Sequence, residues 1–328
     1  MARKLRLEFP GAVYHVINRG NYRRDVFAAE KTKAAFERCL FQACERSGWL
    51  LHAYVVMRNH YHLALETPKG NLVIGMQWME ATFANRFNRL RGEHGHLFQG
   101  RYKALLVDGE SSLGPLCDYI HLNPVRAGVA TVAGLRNLSH SSYWHLWRPE
   151  GRPAFLQVGT ALREAGGLAD TAAGCAAYAA YLDWQAAEGP AGKNKAYASL
   201  SQGWALGTEE FKADLVRNYQ IAAAARALQP CGAAEVRAMR WREALEVATG
   251  RLPASARATP DAAHKSAAWK VAVAAHLKST TDASNAWLAR QLDMGSAAYV
   301  SKHVGLLLRN GGPGRKWLEE LRKVKGET

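Results

Sequence analysis

Two runs of strand-forming residues, Trp49 to Met57 and His60 to Glu66, are separated only by Arg58 and Asn59. So tight a connection implies an antiparallel hairpin between them. Helical patterns flank the hairpin on both sides. Between Glu30 and Ser47, Phe36, Leu40, Phe41 and Cys44 share one stripe, and Gly48 stops the helix. Asn71 can cap a longer helix whose buried face is Met76, Met79, Phe83, Phe87 and Leu90. Arg86, Arg89 and Arg91 lie off that stripe, and Gly92 ends it. Further strand patterns sit outside the helices, at Ala12 to Asn18 and at Arg101 to Val107. A last helix covers Leu113 to Asn123, and the Asn123-Pro124 pair should terminate it.

The order β-α-β-β-α-β plus one helix defines an α+β, ferredoxin-like domain. Two helices cover one face of a four-stranded antiparallel sheet. The other face is left for chemistry or for the added helix. The chain is longer than one core usually serves, and three segments are expected. Residues 1–148 form the sheet domain. Residues 149–261 are a linker, rich in Gly, Pro and Ala, with a helical region. Residues 262–328 form a small helical domain. In the last segment Asn285 to Leu292 and Ala297 to Leu308 read as two helices joined by the turn Asp293-Met294-Gly295-Ser296. That is a helix-turn-helix pattern, preceded by a third helix from Ser266 to Leu277.

Charge narrows the class of partner. The chain carries 43 Lys and Arg against 28 Asp and Glu, a net +15. Such a balance points to a polyanion, nucleic acid before an anionic membrane. No apolar run is long enough for a signal peptide or a membrane span. The five cysteines, Cys39, Cys44, Cys117, Cys175 and Cys231, show no Cys-x-x-Cys spacing, so neither a disulfide framework nor a zinc ribbon is expected. A cytoplasmic, nucleoid-associated protein is the expectation.

The chemistry is carried by two short stretches. In a strand, His60, His62, Ala64 and Glu66 point one way, and Tyr61, Leu63 and Leu65 the other. Two imidazoles two residues apart can chelate one divalent ion, although a lone His-x-His is also compatible with ordinary half-exposed histidines. In the last helix Tyr119 and Asn123 are four apart and share a face. If that helix crosses the open sheet face, two imidazoles, an amide oxygen and a phenol converge. A phenol with a pKa of about 10 is a weak nucleophile. Beside a cation that withdraws charge from a phosphate it can attack phosphorus, and the resulting ester conserves the energy of the broken bond. Tyr119 alone could equally be a buried aromatic with a satisfied hydroxyl.

At these residues the sequence resembles a known family. His60-Tyr61-His62 resembles the His-hydrophobic-His motif of single-tyrosine nucleases and transposases. Phe98-Gln99-Gly100-Arg101-Tyr102-Lys103, followed by Tyr119-Ile120-His121-Leu122-Asn123-Pro124-Val125-Arg126-Ala127-Gly128, is similar to the REP-associated tyrosine transposases. Pro10-Gly11-Ala12-Val13-Tyr14-His15-Val16 with Asn18-Arg19-Gly20-Asn21 fits the same branch. The resemblance spans about Arg3 to Trp144. It implies Mg²⁺ or Mn²⁺ as cofactor, a 5′-phosphotyrosine intermediate, and single-stranded DNA bearing hairpins of extragenic palindromic repeats as substrate. It implies Tyr119 as nucleophile, His60 and His62 as metal ligands, and Asn123 as the third ligand. Arg3, Lys4, Arg19, Arg23 and Arg24 are implied readers of a short DNA sequence beside the hairpin. The long carboxy-terminal half departs from short members, and its helix pair resembles duplex-DNA-binding modules.

Other residues complete the expectations. Arg101, Lys103 and Arg126 are candidate phosphate contacts. Glu66 is a candidate outer partner of the metal ligands. Tyr102 is the rival nucleophile, but no metal-capable residue lies at helical spacing from it. His15 and His52 read as structural, and His121 as facing DNA or solvent. Two other functions stay open. One is a non-catalytic DNA-binding regulator that acts through the helix-turn-helix. The other is a metal-dependent hydrolase in which Glu66 activates water. Monomer and homodimer are both compatible with the sequence.

Overall fold

The computed structural model describes residues 7–187, 200–218, 230–258 and 261–323. The chain divides into two compact units, residues 1–218 with 227–232, and residues 219–226 with 233–328. The fold is α+β, as the alternation of periods implies.

In the first unit β1 (Ala12–Arg19), α1 (Glu30–Ser47), β2 (Leu50–Val56), β3 (His60–Thr67), α2 (Leu72–Arg91) and β4 (Lys103–Val107) follow in order. Spatially the strands run β2-β3-β1-β4, every neighbour antiparallel. This is the ferredoxin-like arrangement, in which each β-α-β unit is split by a strand of the other. A fifth strand, β5 (Ala205–Leu206), adds to the β4 edge in parallel. Two residues carry no period-2 signal, which is why the sequence indicates four strands. β4 begins at Lys103, two residues later than its apolar pattern suggests.

Helices α1 and α2 pack together on the face carrying Tyr61, Leu63 and Leu65. Phe27, Phe36, Phe83 and Tyr61 form a ring cluster there, with Phe36 4.6 Å from Tyr61 and 5.2 Å from Phe83 between centroids. Gly48 caps α1 in the left-handed region at φ 68°, a conformation that costs glycine nothing. Gly75 lets α2 approach the connection between α1 and β2 closely, because a Cβ there would stand 2.1 Å from the Trp49 ring.

Helix α3 (Leu113–Arg126) crosses the opposite face, over β2 and β3. Helices α4 (Ser142–Leu146), α5 (Gly159–Glu164) and α6 (Ala172–Ala187) follow it, and α5 and α6 pack against α3. Enclosed on both sides, α3 buries every residue from Leu116 to Pro124. It does not stop before Pro124. The proline removes only the bond that would reach the Ile120 carbonyl, and Ala127 N–H still donates to Asn123 O. Asn123 therefore sits in regular helix, on the face of Tyr119. Helix α7 (Glu209–Asn218) closes this unit.

The second unit contains all but the first three residues of α8 (Pro230–Arg251), then α9 (Ala254–Arg257), α10 (Ala268–Thr280), α11 (Asn285–Gln291), α12 (Ala297–Asn310) and α13 (Gly314–Arg322). Its core joins Leu277, Trp287, Leu288, Met294, Val300, Val304 and Leu318. Ser284 and Ser296 cap α11 and α12 by accepting from Trp287 N–H and Tyr299 N–H.

Candidate functional site

Strand parity and the helix crossing bring five side chains to one point of the first unit. His62 on β3 is 4% exposed and His15 on β1 fully buried. In the β1–β3 ladder Ile17 faces His62 and Ala64 faces His15, so the two histidines are diagonal neighbours on one face. His15 Nε2 lies 2.9 Å from His62 Nδ1. On the other side of the His62 ring, Nε2 lies 3.3 Å from the Asn123 Nδ2 amide. The Asn123 side chain also bonds the His60 ring. His60 Nδ1 is 2.7 Å from Asn59 Oδ1. Tyr119 stands edge-on to His62, ring centroids 5.4 Å apart. The Arg126 guanidinium lies 5.2 Å from the Tyr119 ring centre.

Electrostatics keep these imidazoles neutral. Burial pushes His15 and His60 down to about 4. The same desolvation, with His15, His60, Arg19 and Arg126 nearby, holds His62 well below the usual range. A neutral imidazole has a lone pair to offer a cation, and a protonated one has none. Among the described residues no cluster of three or more His, Cys, Asp or Glu side chains is arranged to hold a metal ion. The donor set in view is instead two imidazoles and one amide.

The outer support differs from the sequence expectation. Glu66 does not reach the histidine pair. It lies four residues along β3 from His62, about 13 Å at strand rise, and its carboxylate meets His52 Nε2 at 3.2 Å. The partner of His62 is His15, which reads as structural in the sequence. Its position follows from the antiparallel register of β1 on β3, and no local pattern reveals that register.

His121 also departs from the sequence expectation. It is fully buried, and faces neither DNA nor solvent. Its Nδ1 meets Tyr178 Oη at 2.9 Å and its Nε2 meets Ser142 Oγ at 2.8 Å. One turn earlier, the carboxylate of Asp118 accepts from Tyr178, Tyr181 and Gln185 of α6 at 2.8, 3.0 and 3.0 Å. Desolvation raises the Asp118 pKa, and those donors partly offset it. The back of α3 is thus bound to α6 by polar groups while Tyr119 and Asn123 face the sheet.

The basic candidates separate. Arg126 reaches Tyr119. Arg19 pairs across from His60 in the ladder. Arg23 follows the fully extruded Tyr22, which is 93% exposed, and both hold positive φ, 51° and 58°. Asn59 Nδ2 donates to Arg23 O at 3.3 Å, so one side chain ties this loop to His60. Arg24 is bound to Glu93 at 2.6 Å. Lys103 Nζ donates to the Ser201 carbonyl at 2.6 Å. Arg101 is exposed on the segment before β4, and Arg3 and Lys4 lie outside the described residues. Tyr102 is buried; strand parity turns it to the face opposite His15 and His62. Tyr61 likewise faces the helices and donates to Glu80 at 2.7 Å.

Residues 9–123 match the family model described as the IS200-like transposase. Over that segment the chain is similar to the IS200-like transposases. That segment runs from the approach to β1 through the nucleophile candidate and ends at Asn123. A solved structure described as a REP-associated tyrosine transposase bound to a REP hairpin is 15% identical, over 47% of this chain and 89% of its own, with a TM-score of 0.39. No curated protein matches the chain. No helix among the described residues is long and apolar enough to cross a membrane.

Proposed function

We propose that this protein cleaves and rejoins single-stranded DNA at hairpin-bearing repeats through a 5′-phosphotyrosine bond to Tyr119. One observation carries the reading: the Tyr119 ring stands 5.4 Å from that of His62, whose Nε2 faces Asn123 beside His60. His60, His62 and Asn123 would hold a divalent cation, Mg²⁺ or Mn²⁺. The fit rests on neutral imidazoles and an amide oxygen, donors that suit such an ion. When bound, the cation supplies charge withdrawal at a non-bridging phosphate oxygen.

The remaining work belongs to the chain. The Tyr119 oxygen attacks phosphorus in line with the 3′ oxygen. The phosphorus–tyrosine bond forms as the bond to that oxygen breaks, and the phenol proton is passed on to the released 3′ hydroxyl. Joining is the reverse attack by a 3′ hydroxyl. Arg126, over the phenol ring, stabilises developing negative charge on its oxygen. The loop bearing Arg19, Tyr22 and Arg23 offers an exposed ring for a base to stack on and cations for the backbone.

Hydrolysis by activated water has less support, because Glu66, the base named for it, meets His52. The helix pair α11–α12 has exposed Ser301, Lys302 and Arg309 on its second helix, and we assign it duplex-DNA binding. The test is an end-labelled hairpin oligonucleotide with Mn²⁺, run on a denaturing gel. A labelled band migrating with the protein, absent in Tyr119→Phe, supports the mechanism. Binding without any covalent band across several hairpins and metals leaves a DNA-binding regulator.

A further inference from the structure

His15 stands between two partners. Its Nδ1 is 2.7 Å from the Leu200 carbonyl oxygen and its Nε2 is 2.9 Å from His62 Nδ1. A carbonyl only accepts, so His15 Nδ1 carries the proton. A neutral, fully buried ring has no second one. His15 Nε2 is therefore an acceptor, and His62 Nδ1 must donate to it. The His62 lone pair is then on Nε2, the atom that the Asn123 amide meets at 3.3 Å. The two imidazoles are also stacked, 26° apart in plane, so the ring of His62 is held in rotation as well as in tautomer.

We infer that His15, anchored to the Leu200 carbonyl, is a positioning residue that fixes the tautomer and orientation of His62 so that Nε2 faces the cation. This rests on the metal reading above. The anchor lies far beyond the segment that matches the transposase family. Leu200 begins the stretch that pairs with β4 through Leu106 and Ala205, and Lys103 Nζ holds its Ser201 carbonyl. The later part of the chain thus completes the support of a site whose ligands all lie before residue 124.

Removing the partner that orients a metal-binding imidazole typically costs 10–100-fold in affinity. The experiment uses the full chain with ¹⁵N-labelled histidine. Long-range ¹H–¹⁵N correlation in the metal-free protein reads which His62 nitrogen bears hydrogen, with His62→Asn supplying the assignment. Calorimetry with Mn²⁺ reads affinity. Nδ1–H on His62 is expected in the wild type. A roughly 10–100-fold weaker Mn²⁺ affinity is expected in His15→Phe, which fills the space without accepting. His15→Gln, whose amide can accept from His62 and donate to Leu200, should recover most of it. A wild type that binds Mn²⁺ with His62 protonated on Nε2 overturns the role of His15 alone. So does a folded His15→Phe with unchanged affinity. A wild type with the Nδ1–H tautomer that binds no Mn²⁺ overturns the metal reading, and the purpose given to His15 with it. The wild-type spectrum decides the tautomer even if His15→Phe does not fold.

Discussion

Tyr178→Phe removes one oxygen from the polar contact that fastens α3 to α6. That oxygen donates to Asp118 at 2.8 Å and faces His121 Nδ1 at 2.9 Å. His121 is neutral, with burial holding its pKa at about 3. Its Nδ1 donates to Tyr178, since the tyrosine proton already goes to Asp118. The substitution leaves the His121 N–H unsatisfied in a dry interior, at about 1–3 kcal/mol. It also takes one charge-assisted donor from Asp118, worth about 1.5–3 kcal/mol, of which Tyr181 and Gln185 preserve part. A net loss of about 2–4 kcal/mol follows. For a unit of this size that lowers the melting midpoint by on the order of 10 °C. Differential scanning calorimetry on the full chain follows the transition of the first unit. A midpoint within about 2 °C of wild type would refute the argument. It would mean that α3 is held by its apolar contacts alone. The carboxylate adds a pH signature. A raised carboxyl pKa means the folded state disfavours the charged form, so Asp118 costs stability at neutral pH and the cost fades as pH falls through its folded pKa. Asp118→Asn should flatten that part of the stability profile.

Tyr119→Phe should abolish the covalent product while leaving fold and DNA affinity intact, read by gel and by fluorescence anisotropy; full cleavage by the variant sinks the nucleophile assignment. Tyr22→Ala should weaken single-stranded DNA binding by about 1–3 kcal/mol, and unchanged affinity removes the stacking role. The histidines predict acid lability. His15 and His60 are held down to about 4 against a usual 6.5, so the unfolded chain takes up protons first. Stability should fall from about pH 6.5 to about pH 4, by on the order of 2–3 kcal/mol for the fully buried His15 and by less for the half-buried His60. Urea midpoints that do not move across that window contradict the assignment. Gly75→Ala drives a methyl into the Trp49 ring and should cost at least about 1–3 kcal/mol in a urea titration.

What the sequence reveals follows the range of the forces involved. The ferredoxin-like order is legible because each strand and helix writes its own period, and the parity of His60 and His62 is fixed by two residues of strand. The shared face of Tyr119 and Asn123 is legible for the same reason, once the helix is known to continue. Its continuation through Pro124 is not, because tertiary enclosure outweighs one lost bond. Register is invisible locally. Nothing near His15 says that it will lie diagonal to His62, and nothing near Leu200 says that its carbonyl will end on that ring. His121 is the same lesson in reverse. On a helix with one open face it would meet solvent, but α6 arrives some 50 residues later and buries it. The two-residue β5 leaves no pattern at all, yet it fixes the strand edge from which the Leu200 carbonyl is presented.

Asn123 offers the sharpest test of the ligand set, because a change of one atom separates a ligand from a spacer. Its amide touches both imidazoles, through Nδ2 at His62 Nε2 and through a bond to His60. Asn123→Asp keeps the shape and exchanges the amide donor for a second oxygen. Without metal, the new carboxylate faces the His62 lone pair and draws a proton onto one of the rings, so the His60 and His62 pKa values rise. With metal, a charged oxygen is a stronger partner for a hard divalent cation than an amide oxygen. Mn²⁺ affinity should therefore increase at pH 8, where the added proton is lost, and the gain should shrink toward pH 6 as protons compete for the same lone pairs. Asn123→Ala should weaken binding at every pH. Calorimetric titrations at the two pH values distinguish the cases. If Asn123→Asp and Asn123→Ala bind Mn²⁺ equally, the residue only spaces the histidines, and the third ligand must be sought elsewhere.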